Sequence, residues 1–170
     1  MISRRRIPLL LVIVAALACA LCACSEARDA GGPIEARNFI AQGEAAHFES
    51  QHRLAQGDVA GARTALESAL RVPAPRAADA GDVRVVRQDL FYQLAALELE
   101  HGRPEEAARF ATEGLALGVA TDAFTANLQI ARGRALERTG DPSGAARDYH
   151  AALVTSEALL ERSLGHDKTP

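Results

Sequence analysis

The chain has 170 residues, 36 of them alanine, with 4% aromatics, no tryptophan and a formal net charge of −3. A core built on large rings is excluded, and abundant alanine, the strongest helix former, points to thin, closely packed helices in an all-α domain. Eighteen of the 19 basic residues are arginine, scattered without a basic patch, so there is no electrostatic footprint for nucleic acid.

In chain order, the first element is a leader. Arg4, Arg5 and Arg6 precede a nearly unbroken apolar run, IPLLLVIVAALA, at residues 7–18. A basic start, a short apolar stretch and a small-residue exit describe a cleaved signal peptide. A membrane-spanning helix would need about 20 apolar residues. Cys19, Cys22 and Cys24 are the only cysteines, and C-x-x-C-x-C also reads as part of a metal site. No fourth ligand follows at a suitable spacing, so no metal and no cofactor is expected. Leu21-Cys22-Ala23-Cys24 resembles the bacterial lipobox. That resemblance implies cleavage before Cys24, a covalent lipid on its thiol, and loss of Cys19 and Cys22. The mature chain would keep 16 basic and 22 acidic residues, a formal charge of −6. Ser25, where an aspartate would favour the inner membrane, implies the outer membrane, facing the periplasm of a Gram-negative cell. Residues 1–23 are thus a signal peptide and 24–35, with Gly31-Gly32-Pro33, a lipid-anchored flexible tether. Residues 36–165 form the helical domain.

Apolar spacing predicts helices at about 36–56 and 58–71, 83–101 and 104–117, and 122–139 and 142–154, paired as three antiparallel hairpins. Ala41, Ala45, Phe48, His52 and Ala55 mark the apolar face of the first, with His52 as a core histidine. Residues 71–82, RVPAPRAADAGD, read as a loop, while 156–164 either continues the last helix or forms a capping one.

The hairpins repeat. Gly57 is followed by Ala62, Leu66, Ala69 and Leu70; Gly102 by Ala107, Ala111, Gly114 and Leu115; Gly140 by Ala145, Tyr149, Ala152 and Leu153. The offsets are the same in all three. Each glycine suits the turn after a helix end, Asp58 and Asp141 suit the next N-cap, and Pro104 and Pro142 suit its first turn. The stretches AQGDVAGARTALESAL, EHGRPEEAARFATEGLAL and RTGDPSGAARDYHAAL resemble the tetratricopeptide repeat. Phe91 stands at that family's large aromatic position, and Gly133 keeps its small crossing residue. Gln129 and Arg132 depart from its apolar pattern. Corner intervals of 45 and 38 residues exceed its period of 34. The resemblance implies a short solenoid with units at about 38–71, 86–118 and 122–155.

No phosphate loop, nucleophile elbow or helical metal pair is present, so no catalytic residue is expected. His47 and His52, five apart, point about 140° away from each other. The repeat register instead implies a concave partner-binding face carrying Tyr92, Leu99, Asn127, Ile130, Arg134 and Arg138, with His47, Gln51, Leu54, Asp89 and Ala96 also inward. Arg134 and Arg138 would equally serve as a solvated helix face. The expected function is a non-catalytic, membrane-anchored scaffold for a protein or peptide of the cell envelope, in assembly or stability of a pilus, secretion or outer-membrane machine. Recruitment of a cell-wall enzyme and a self-associating structural lipoprotein are the alternatives. No small-molecule substrate is evident.

Overall fold

A computed structural model describes residues 32–76 and 78–165. The signal peptide, the lipobox and most of the tether, including Cys24, lie outside the described residues. Those described fold into six helices with no strand among them: α1 (Gly32–Ala55), α2 (Val59–Leu70), α3 (Ala80–Glu100), α4 (Pro104–Ala116), α5 (Ala123–Arg138) and α6 (Pro142–Ser163). They pair as the hairpins α1/α2, α3/α4 and α5/α6, stacked through α2/α3 and α4/α5. The first helices also pack side by side, α1 on α3 and α3 on α5.

The three corners are built alike. Gly57, Gly102 and Gly140 have φ of 78°, 69° and 87°, the left-handed region glycine enters freely. The N–H one residue on donates to the carbonyl five residues back: Asp58 to Arg53 at 2.9 Å, Arg103 to Glu98 at 2.8 Å, Asp141 to Leu136 at 2.8 Å. This bond satisfies a helix-terminal carbonyl and turns the chain sharply. The Gly61 and Gly144 N–H groups donate to Asp58 and Asp141, each at 2.8 Å, and start the following helix. At the middle corner Arg103 gives no side-chain cap, and Pro104 with Glu105 and Glu106 opens α4.

Two boundaries differ from the spacing-based expectation, and a third resolves the alternative left open at the C-terminal end. Helix α1 begins at Gly32, inside the expected tether. Helix α3 begins at Ala80 because Asp79 caps it, accepting from the Gly81 N–H at 2.7 Å. Residues 156–163 continue α6 without a break.

The apolar face of α1 is misread from the sequence. Ala41, Ala45, His52 and Ala55 are exposed and Phe48 is 69% exposed, while Phe39, Gly43 and Ser50 are buried. His52 is no core residue; it pairs with Gln56 at 2.8 Å on the surface. Helix α1 has neighbours on one side only, so only one of its two small-residue stripes is covered.

Leucines and alanines of α2 to α5 form the core, with Leu90, Leu94 and Leu128 at its centre. Polar clasps join its helices, some within a hairpin and some between hairpins. Fully buried Glu98 pairs with Arg63 of α2 at 3.2 Å and with Arg103. Buried Gln88 donates from Nε2 to the carbonyls of Gly118 at 2.7 Å and Gly114 at 3.2 Å, closing the end of α4. Arg84 joins the cap residue Asp122 at 2.8 Å. Arg132, the polar departure noted in the third unit, grips Asp148 with two bonds of 2.7 and 2.6 Å. That bidentate pair explains the departure.

Candidate partner-binding groove

Because α1, α3 and α5 lie side by side, residues at helical spacing on each share one face of the molecule. Between α3 and α5 it deepens to a cavity of about 190 Å³. All six residues proposed from the register line it: Tyr92 and Leu99 from α3, and Asn127, Ile130, Arg134 and Arg138 from α5. Ala96 and Ala131 form the small floor and Glu100 adds a carboxylate.

The six do not contribute equally. Tyr92 is half-buried, its ring against the core, and Ile130 is 39% exposed. They supply the apolar walls. Leu99 is only 4% exposed, so it belongs to the core and offers little surface to a partner, contrary to its expected place on the binding face. Arg138 is partly committed: its Nη1 donates to the Leu99 carbonyl, stapling the end of α5 to the end of α3. The side chains of half-buried Asn127 and exposed Arg134 make no hydrogen bond or ion pair among the described residues. Next to Arg134, Tyr149 donates to Glu137 at 2.9 Å. Burial, then that bond, raises the Tyr149 phenol from its ordinary value, against the nearby charges of Arg134 and Arg138.

A second compartment of about 140 Å³ lies between α1 and α3. His47, Gln51 and Leu54, expected to face inward, line it together with Ser50 and Gln93. His47 and Gln51 pair at 2.8 Å. Ala96 and Glu100 border both compartments, making them one continuous surface. Asp89 interacts with Gln93 and His47; burial raises its carboxyl from the usual value, while those two partners oppose the shift.

Glu100 is the residue the sequence reading misses. It follows Tyr92 and Ala96 at i+8 and i+4, so the same spacing places it on the same face. A charged last-turn residue reads as solvated helix end, which hid it.

The α3/α5 cavity is smaller than the roughly 300–1,000 Å³ of small-molecule sites. Asn127 brings an amide and Arg134 a guanidinium to its lining. Among the described residues no group of three or more His, Cys, Asp or Glu can hold a metal ion. None of their helices is long and apolar enough to cross a membrane. No family model matches this chain, and no curated protein matches it.

Proposed function

We propose that this protein is a non-catalytic adaptor, tethered by lipid on Cys24 to the periplasmic side of the outer membrane, that holds an extended segment of an envelope protein in the groove of a tetratricopeptide-like stack. Convergence of Tyr92, Asn127, Ile130 and Arg134 on one small, partly apolar cavity carries this reading. The composite surface is longer than a single side chain, because Ala96 and Glu100 join the two compartments. An extended peptide would therefore thread across α5, α3 and α1, and each helix would present residues at regular intervals. The lipobox resemblance supports the location.

Crosslinking in intact cells followed by mass spectrometry tests the groove. Tyr92→Ala with Arg134→Glu should lower recovery of the crosslinked partner at least tenfold at unchanged helicity. Arg134 is exposed, but the Tyr92 ring packs against the core, so Arg134→Glu alone serves as the variant that leaves packing intact; Arg138 is kept because it staples α5 to α3. Unchanged recovery would remove the groove from the function. For the anchor, Cys24→Ser should release the protein from membranes or leave it unprocessed. A processed variant still fractionating with membranes would refute lipidation.

A further inference from the structure

The two outermost helices leave apolar faces uncovered, and the internal packing indicates what fits them. In the middle and last hairpins, the residues 12 positions before the corner glycine are Leu90 and Leu128, buried at 2% and 0% exposure, Leu128 against Gly114 of the preceding hairpin. The same position in α1 is Ala45, exposed and flanked by Ala41 and by Phe48. At the other end, Leu115 of α4, 13 positions after its corner glycine, is 8% exposed; its counterpart Leu153 of α6 is 55% exposed. Each outer helix thus displays the residues that, one unit inward, form the seam between hairpins.

The faces also match in length. Helix α6 ends 23 residues beyond Gly140, whereas α4 ends 14 beyond Gly102. The extra turns carry exposed Leu160. Helix α1 begins 25 residues before Gly57, whereas α5 begins 17 before Gly140, and its extra turns carry exposed Ile34. In the internal seam Gly114 of α4 lies against Leu128 of α5, 12 after one corner and 12 before the next, in antiparallel register. Continued outward, that register sets Leu153 beside Ala45 and Leu160 level with Arg37, about one turn short of Ile34. Arg147 then lies level with Glu49, and Glu161 with Arg37, to within about a residue, so flanking charges are of opposite sign.

We propose that copies of this chain stack end to end, the outer face of α1 in one copy packing on the outer face of α6 in the next as a continuation of the internal seam. The contact is heterologous, so it propagates into a row or closes into a ring. It uses the ends of the stack and leaves the concave groove open.

The test uses the full chain carrying Ala45→Cys and Leu153→Cys, oxidised in intact cells and separated without reductant. A series of dimer, trimer and larger bands is expected, absent from the unsubstituted chain. Each single variant should give no added bands, and co-expression of the two singles should stop at the dimer. Dimers from either single variant would indicate a two-fold contact and overturn the proposal. Absence of bands from the double variant would also overturn it, leaving these faces to the leader, a membrane or another protein. In detergent, Phe48→Glu with Leu153→Glu should weaken self-association at least tenfold by sedimentation at unchanged helicity. Both side chains are mostly exposed within one copy, so the fold should not change. Undiminished association would equally refute the seam.

Discussion

Replacing Arg63 and Arg103 together by alanine should lower folding stability by about 3–5 kcal/mol, more than replacing the acid they share. Glu98 has 0% side-chain exposure, whereas Arg63 and Arg103 keep 32% and 41%. If the carboxylate is removed, both guanidinium groups can turn into water. If they are removed, the carboxylate is left charged and sealed among α2, α3 and α4. The desolvation cost therefore falls on one side of the pair. Glu98→Gln keeps the shape and loses only charge-assisted bonds, worth about 1.5–3 kcal/mol each at most and offset by re-solvation of the arginines. Arg63 also pairs with Glu67 at 2.8 Å and Glu106 at 3.6 Å, but such part-exposed pairs add about 1 kcal/mol or less. In thermal unfolding the double arginine variant should melt on the order of 10 °C or more below the parent, at roughly 3–5 °C per kcal/mol for a domain this size. An equal or smaller loss than for Glu98→Gln would show that the carboxylate reaches water.

The second large effect is at the crossing of α3, α4 and α5. Leu128 is fully buried there, and Leu128→Ala should cost about 2–5 kcal/mol in transfer energy and cavity. Opposite it, a Cβ added to Gly114 would meet Leu128 Cδ1 at 2.8 Å, Cδ2 at 2.9 Å and Phe91 Cβ at 2.9 Å. Gly114→Ala alone should cost about 1–3 kcal/mol by overpacking, against a small gain in helix propensity. Combining them removes the leucine methyls from the path of the new one. The double variant should therefore lose less than the sum. It should not be restored, because Phe91 Cβ is fixed to the α3 backbone and cannot yield. A denaturation cycle over the four proteins measures the coupling. Additivity within about 0.5 kcal/mol would show that the two residues do not share the crossing.

The hairpin order was legible in the sequence because local chemistry fixes it. Gly57, Gly102 and Gly140 take the left-handed turn, and Asp58, Asp141 and the two prolines restart the helix without help from distant residues. Tyr92, Asn127, Ile130 and Arg134 were placed on one face by the register that the repeat resemblance implies, and the four line one cavity. Burial on α1 was not. Its two opposite stripes are both rich in small residues, and only the missing neighbour decides which stays exposed. The clasps were hidden too. Glu98 finds Arg63 35 residues away, and Gln88 finds Gly114 and Gly118, pairings that no local period reports. Arg138 was read as a ligand-facing cation because its staple partner is a backbone carbonyl, which carries no sequence signature.

Every substantial helix pairing joins elements that are adjacent or next but one along the chain. Folding therefore closes only short loops, and ordering can spread from one hairpin to the next like a zip. Cooperativity is then a local quantity, set at each seam by the bonds that cross it. The Glu98 clasp couples the first hairpin to the second, and the Arg84–Asp122 pair couples the second to the third. Loosening either would let a terminal hairpin open while the middle one stays folded.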